Sequence, residues 1–267
     1  MKFALVDNSR MEAQPKLQGL CPICFEPVIA KCGTEKVWHW AHRSKTTCDS
    51  WWERETEWHR AWKNYYPIEW QEISLPDEKT GEKHIADIRT AHNLVIEFQH
   101  SHIDPQERTS REKFYGNMIW VVDGTRLKRD YSRFQKGINN SRHHGQDNEG
   151  NYLFSESFPE DIFNTSWLNS SVPIIFDFQG IENEEKNEYK EILWCLLPQK
   201  GLTRAIIVGL TREYFFERTL NFSQLLPEDK KEMQQEPQKR TNTINRRPTR
   251  IYSPYASPFT KRQRGRL

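Results

Sequence analysis

Two acidic side chains stand close together in a segment whose pattern is typical of a β-hairpin. Residues 84–99 alternate apolar and polar side chains on either side of a polar turn at about Ala91–Asn93. Pairing of the two strands would place Asp87 beside Glu97, and Gln99 would share a face with Glu97. Adjacent carboxylates repel each other unless a cation lies between them, and a hard divalent cation is the usual one. The hairpin therefore predicts a divalent-metal site of the kind that metal-dependent nucleases use.

A tryptophan-rich segment before the hairpin predicts a helix over Ser50–Tyr66, which Pro67 ends. On such a helix Glu55, His59 and Lys63 recur every fourth residue and form one ridge. The ridge is either a solvated ladder of ion pairs or part of the acidic site. In the second interpretation Glu55 lies near the metal, while His59 and Lys63 face phosphate.

Further elements around the hairpin complete an α/β pattern. A strand is expected over Ile68–Leu75, before the hairpin, and another over Met118–Asp123, after it. Between the hairpin and the second strand, about Pro105–Asn117 predicts a helix with Arg108 and Arg111 on one face. The order helix, strand, strand, strand, helix, strand indicates an α/β sheet with helices on its faces.

A cysteine and histidine cluster precedes this pattern. The five cysteines are an odd number, and four of them lie near the N-terminus, which favours metal binding over disulfides. A CxxC pair followed by a histidine and a further cysteine suits a closed, tetrahedral, structural zinc site. His39 and Cys32 compete for places in the ligand set. The predicted zinc ligands are Cys21, Cys24, His42 and Cys48.

Several short motifs occur in an order that resembles the CoiA-like competence nuclease family. The resemblance covers about residues 20–125 and implies membership of the PD-(D/E)XK nuclease superfamily. It implies a restriction-endonuclease-like fold, a mixed central sheet flanked by helices. The residues themselves add an N-terminal zinc knuckle and, from strand-like runs in the second half of the chain, a C-terminal α+β extension. The motifs are His39–His42, Glu55–His59 with Lys63, Ala86–Asp87, Ile96–Ser101, Arg111 with Tyr115, and Ile119–Val122.

The resemblance also implies a site and a reaction. Glu55, Asp87 and Glu97, joined by the Phe98 carbonyl, would hold Mg or Mn for hydrolysis of DNA phosphodiester bonds. Gln99 stands where the superfamily usually has lysine, and it brings no positive charge. The missing charge would then come from Lys63, His59 or Arg111. Ile85 departs from the family's arginine at that position, and Thr56 replaces a serine.

The chain divides into four predicted regions. These are a zinc-binding module over 1–49, a nuclease-like core over 50–137, an α+β region over 138–226 and a disordered basic tail over 227–267. The tail has no acidic residue after Pro237 and carries Arg246 and Arg247, so it predicts salt-dependent affinity for nucleic acid. Arg108 and Arg111 are further candidates for nucleic-acid contact.

Charge and hydropathy limit the function classes. The formal net charge is +2, so the whole-chain value says little about partners. No apolar run approaches the roughly 18 residues that span a bilayer, and Met1–Arg10 lacks a signal-peptide core. We therefore expect a cytoplasmic protein without a membrane partner.

Two functions from different classes fit these patterns. The first is a metal-dependent DNA endonuclease in DNA uptake and recombination, or in defence against foreign DNA. The alternative is a DNA-binding module of the same fold that has lost hydrolysis and recruits a partner protein. An RNA-processing or repair factor is a third class.

Overall fold

The N-terminal part of the protein is a small antiparallel sheet. The computed structural model describes residues 1–43, 48–77, 81–178, 191–199 and 204–226. The first strands are β1 (Phe3–Val6), β2 (Ser9–Glu12), β3 (Gln18–Leu20), β4 (Pro27–Lys31) and β5 (His39–His42). They lie in the spatial order β2-β1-β3-β4-β5. Ala4, Val28 and Trp40 fill a small apolar core beside Cys21.

A second, nine-stranded sheet carries the rest of the described chain. Its strands are β6 (Gln71–Pro76), β7 (Lys83–Arg89), β8 (Val95–Gln99), β9 (Met118–Asp123), β10 (Arg142–Gln146), β11 (Tyr152–Glu156), β12 (Ile174–Asp177), β13 (Ile192–Leu196) and β14 (Ala205–Thr211). Their order is β10-β11-β14-β13-β12-β9-β8-β7-β6. Strands β8, β9 and β12 are parallel neighbours, and the other neighbouring pairs are antiparallel. The predicted mixed sheet is therefore present.

Helices cover both faces of this sheet. Among the described residues they are α1 (Glu57–Lys63), α2 (Pro105–Tyr115), α3 (Lys128–Asn140) and α4 (Arg212–Asn221). The predicted succession of helix, three strands, helix and strand is confirmed as α1, β6, β7, β8, α2 and β9. No helix in the described part of the chain is long and apolar enough to cross a membrane.

Strand β9 shows why helices are needed on both sides. All six of its residues are buried, as expected for a central strand with parallel neighbours. Ile119 and Val121 pack in the apolar layer that contains Trp62 of α1, whereas Trp120 packs with Phe134 of α3 in the other layer. The alternation of side chains along one strand thus serves two cores.

The predicted helix over Ser50–Tyr66 is wrong at both ends, because α1 ends at Lys63 as well as beginning late. Helix α1 begins only at Glu57, where Thr56 is the N-cap of a capping box with His59. The preceding segment stays out of the helix because Asp49 accepts hydrogen bonds from the backbone N–H groups of Trp51 and of Ile85 in β7. The ridge predicted on one helix therefore does not exist, and Glu55 lies in an extended segment before α1.

The polar segment over 139–151 forms regular secondary structure. Helix α3 continues to Asn140, and β10 then pairs with β11 around a turn at 147–150. Stacking of the His143 ring on Phe154, with centroids 4.6 Å apart, stabilises this hairpin. The boundary predicted at 137/138 falls within α3, and one sheet includes strands from both sides of it. The predicted tail over 227–267 lies outside the described residues.

Candidate active site and metal centre

The β7–β8 hairpin brings the two predicted carboxylates together. The backbone N–H of Asp87 donates to Glu97 Oε1 at 3.1 Å, and the backbone N–H of Phe98 donates to Asp87 Oδ2 at 3.0 Å. Each carboxylate is therefore bonded to the backbone of the opposite strand. These reciprocal bonds fix both side chains at one edge of a cleft of about 560 Å³.

Lys63 reaches this pair from the last turn of α1. Its ammonium lies 2.8 Å from Asp87 Oδ1, 3.1 Å from Glu72 Oε1 and 3.6 Å from Glu55 Oε1. Burial by itself would lower the pKa of Lys63, but the charges of Asp87, Glu72 and Glu55 raise it well above the ordinary value. Lys63 therefore places a permanent positive charge among the carboxylates.

The surroundings of Glu97 disfavour the negative charge of its carboxylate. Burial and the neighbouring charge of Asp87 raise the pKa of Glu97 to about 8, although Arg111 opposes the shift. The guanidinium of Arg111 lies 3.2 Å from Glu97 Oε2 and also bonds Glu107 and the Trp51 carbonyl. A buried carboxylate in this position favours any additional cation.

Glu55 enters the cleft from the extended segment that precedes α1. Arg60 holds it with two hydrogen bonds, at 3.0 Å from Nε to Oε1 and 2.8 Å to Oε2. Burial would raise the pKa of Glu55, but Lys63 and Arg60 lower it. Glu55 therefore lies in the same cleft as Asp87 and Glu97, although without the predicted helix.

His59 has no free ring nitrogen for proton transfer. Its Nδ1 accepts from the backbone N–H of Thr56 at 3.2 Å, so the ring proton belongs on Nε2, which donates to the Phe98 carbonyl at 3.1 Å. His59 is thus a buried side chain that connects α1 to β8 through hydrogen bonds on both ring nitrogens. The same bond occupies the carbonyl that the sequence suggests as a metal ligand.

Two other predicted residues lie away from the cleft lining. Gln99 donates through Nε2 to the Ser101 carbonyl and hydroxyl, both at 3.3 Å, and its buried amide oxygen finds no partner among the described residues. Arg108 is buried, donates to the Trp167 carbonyl and pairs with Glu112. This burial gives no support to a phosphate contact at Arg108. Arg246 and Arg247 lie outside the described residues.

The cleft also contains carboxylates that the sequence analysis leaves without a role. Glu53 accepts from the backbone N–H of Ser101 at 2.6 Å and lies 3.8 Å from His59 Nε2. For Glu72, burial would raise the pKa, but Lys63 lowers it to about 2. The sequence pattern that could have indicated a role for Glu72 is its position inside a half-buried strand, because an acidic side chain there needs a partner.

A second cluster lies against the N-terminal sheet. The ligand atoms of Cys21, Cys24, His42 and Cys48 all lie within 4.8 Å of one another. Cys21 Sγ is 3.6 Å from Cys48 Sγ, and Cys24 Sγ is 3.3 Å from His42 Nε2. These separations are close to those between ligands about 2.0–2.3 Å from one tetrahedral zinc ion. The cluster is a possible metal site, compatible with structural zinc.

Local backbone structure explains how the CxxC pair is presented. The Cys21 carbonyl accepts from Phe25 N–H at 3.0 Å, and the N–H of Ile23 points at Cys21 Sγ at 3.4 Å. Phe25 takes a positive φ of 58° to close this turn. Burial raises the pKa of the Cys21 thiol, so a thiolate there requires a compensating cation.

The two competing ligands lie outside that cluster. His39 Nδ1 lies 2.8 Å from the Val37 carbonyl, and Cys32 packs at the edge of the small apolar core. Neither belongs to the group of mutually close ligand atoms found among the described residues. The structure thus favours the predicted set over both alternatives.

These features define a mixed α/β protein with two sheets, a Cys₃His cluster and a carboxylate cleft. Residues 6–50 match the family model described as Competence protein CoiA, N-terminal domain, which supports the CoiA-like resemblance and a competence-related role. The match includes the whole Cys/His cluster but ends before Glu55, Asp87 and Glu97. No curated protein matches the chain, and no solved structure does.

Proposed function

We propose that the protein is a metal-dependent DNA endonuclease of the PD-(D/E)XK type with a competence-related role. The observation that carries this proposal is the meeting of Asp87, Glu97 and Glu55 with Lys63 in one cleft. Carboxylates around a buried ammonium provide both metal ligands and a positive charge for a phosphoryl oxygen. Phosphodiester hydrolysis needs both.

The donor set fits Mg or Mn. Asp87, Glu97 and Glu55 offer hard carboxylate oxygens, and each oxygen has a further lone pair beyond its present hydrogen bond. When bound, such an ion supplies a Lewis acid and lowers the pKa of a coordinated water.

Each side chain of the cleft would then have a separate role in hydrolysis. Asp87 and Glu97 would hold the ion with Glu55 as a further ligand, and Lys63 would stabilise charge that develops on the phosphoryl group. His59 acts as a support, because both ring nitrogens are already bonded. Of Lys63, His59 and Arg111, Lys63 therefore supplies in this proposal the positive charge that Gln99 lacks.

The Cys/His cluster would hold a structural zinc ion. Cys21, Cys24, His42 and Cys48 provide soft thiolates and an imidazole, and four protein ligands leave no open position. In this proposal the ion stabilises the small N-terminal sheet and takes no part in hydrolysis.

One observation favours the second candidate, a DNA-binding module without hydrolysis. The cleft carboxylates already have cationic partners: Arg60 on Glu55, Lys63 on Asp87 and Arg111 on Glu97. If those pairs persist in the presence of metal, the site would bind DNA without cutting it.

DNA cleavage separates the two candidates. Linear, circular, branched and single-stranded DNA are incubated with Mg or Mn and the wild-type protein or an Asp87→Ala/Glu97→Ala variant. The nuclease proposal expects cleavage by the wild type and loss of at least about 100-fold in the variant. Cleavage that survives the double substitution would refute the site. Binding without cleavage under both metals would favour the second candidate.

A further inference from the structure

Glu72 is a buried carboxylate of the cleft that none of the roles above uses. It lies near the start of β6 and has a φ of +46°, a left-handed conformation that is unfavourable for a residue with a side chain. Such a conformation persists only where surrounding contacts impose it. The contacts of Glu72 therefore indicate what this conformation achieves.

Those contacts join two parts of the molecule. Both carboxylate oxygens accept from the backbone N–H of Lys2 at 2.8 Å, and Oε2 also accepts from Phe3 N–H at 3.2 Å. The other partner is the Lys63 ammonium, 3.1 Å from Oε1. One buried carboxylate thus connects strand β1 of the small sheet to the cation of the cleft.

We propose that Glu72 is a positioning residue through which the N-terminal sheet holds the Lys63 ammonium against Asp87 and Glu55. The inference rests on the proposed nuclease function for its catalytic consequence. Lysine has a flexible four-carbon stem, so its ammonium needs several anchors to stay in one place. With the amides of Lys2 and Phe3 and the ammonium on its oxygens, Glu72 acts through Lys63 and is not itself a metal ligand.

The side chain of Lys2 strengthens the same connection. Its ammonium is buried and donates to Asn64 Oδ1 and Gln71 Oε1, both at 2.8 Å. Asn64 directly follows Lys63, and Gln71 directly precedes Glu72. Lys2, which directly precedes β1, therefore binds the residues next to both members of the pair, so the small sheet contributes to the geometry of the cleft.

A double-mutant cycle tests the inference. The values of kcat and KM for DNA are measured with Mg or Mn for the wild type, Glu72→Gln, Lys63→Met and the double variant. Glu72→Gln should lower kcat about 10–100-fold and change KM less than about 2-fold, because misplacement affects the transition state more than binding. In the Lys63→Met background the same substitution should change kcat less than about 2-fold.

Glu12 provides a matched control. It also links the small sheet to α1, 3.5 Å from Lys2 Nζ and 3.2 Å from Arg60, but its side chain is exposed. Glu12→Gln should leave kcat within about 2-fold of the wild type, since the exposed pair contributes little. An equal loss in Glu12→Gln, or an undiminished effect of Glu72→Gln in the Lys63→Met background, would overturn the inference.

A readout without catalysis keeps this inference separate from the nuclease proposal. NMR should show a slowly exchanging side-chain ammonium signal for Lys63, assigned by its loss in Lys63→Met. Glu72→Gln should remove that signal and speed amide exchange of Lys2 and Phe3 at least about 10-fold, while Glu12→Gln should not. Unchanged signals in Glu72→Gln would refute the positioning role even in a protein that cuts no DNA.

A shorter carboxylate covers the case in which Glu72→Gln does not fold. Glu72→Asp keeps the charge but removes one methylene, so its oxygens cannot reach both the amides of Lys2 and Phe3 and the Lys63 ammonium. It should give the same loss of the Lys63 ammonium signal. Retention of that signal together with wild-type kcat would overturn the inference.

Discussion

The Cys/His cluster and the carboxylate cleft are both candidate metal sites, yet they are built in opposite ways. The cluster takes its four ligand residues from positions 21–48, and its ligand atoms are three thiol sulfurs and one imidazole nitrogen. The cleft collects side chains from distant parts of the chain and already contains Lys63, Arg60 and Arg111. The comparison indicates that a metal in the cluster would be part of the fold, whereas a metal in the cleft would be exchangeable.

The largest effect is expected in the cluster. Cys48→Ser removes one thiolate from the closed site, and structural zinc contributes on the order of 10–16 kcal/mol of binding free energy to small domains. We expect bound zinc to fall from about one ion per chain to background, with loss of NMR dispersion in β1–β5. Elemental analysis and NMR measure these quantities. Full zinc content in the variant would contradict the assignment.

A smaller effect is expected when the cation of the cleft is removed. Lys63→Met leaves the half-buried Asp87 and the buried carboxylates of Glu72 and Glu55 facing one another, which should reduce the free energy of unfolding by about 3–5 kcal/mol. Because a divalent ion can take the place of the ammonium, Mg or Mn should restore more stability to this variant than to the wild type. Urea unfolding with and without each ion tests this. Equal stabilisation of both proteins would argue against an exchangeable metal.

The protonation of Glu97 provides a third comparison. Its pKa is raised from the ordinary 4.5 to about 8 in the folded protein, so between these pH values the folded state binds a proton that the unfolded state has lost. The stabilisation is fully present below about pH 4.5 and is lost as the pH rises through about 8, by at most about 1.4 kcal/mol per pH unit.

Glu97→Gln isolates this contribution, because glutamine does not titrate. In urea unfolding from pH 5 to pH 8 without added divalent ions, wild-type stability should decline more steeply than that of Glu97→Gln. Parallel pH profiles would show that Glu97 is not a protonated, buried carboxylate in the metal-free cleft.

The smallest effect is expected at Cys32. This cysteine lies outside the group of mutually close ligand atoms, so Cys32→Ser should keep the zinc content of the wild type and change stability by less than about 1 kcal/mol. Elemental analysis of this variant beside Cys48→Ser makes the test specific to position. Loss of zinc in Cys32→Ser would mean that the ligand set includes the alternative cysteine.

Local patterns predict much of this fold because they depend on neighbours in the chain. The β7–β8 hairpin, the buried strand β9 and the proline-initiated helix α2 follow from alternation, apolar runs and capping residues. The prediction for Ser50–Tyr66 fails where a distant contact prevails. Asp49 binds the backbone of Ile85, and Trp51 stacks on His84 with ring centroids 3.2 Å apart. Propensity alone cannot anticipate such tertiary contacts.

The same distinction applies to the sites. The cluster follows from ligand type and short spacing, and the sequence predicts its four residues against two alternatives. In the cleft, the reciprocal bonds of Asp87 and Glu97 follow from hairpin pairing. Arg60 and Glu72 were missed because their roles depend on contacts with Glu55 and with strand β1.

By itself the sequence determined the alternation that pairs β7 with β8, the soft ligands of the cluster and the acidic residues available to the cleft. Only the tertiary structure decided that Lys63 lies against Asp87, that His59 is locked between Thr56 and Phe98, and that β1 reaches Glu72. The physical reason is the distance along the chain between the groups that interact. Secondary structure and ligand spacing arise from neighbours in the chain, whereas burial and charge pairing arise from groups that become neighbours only after folding.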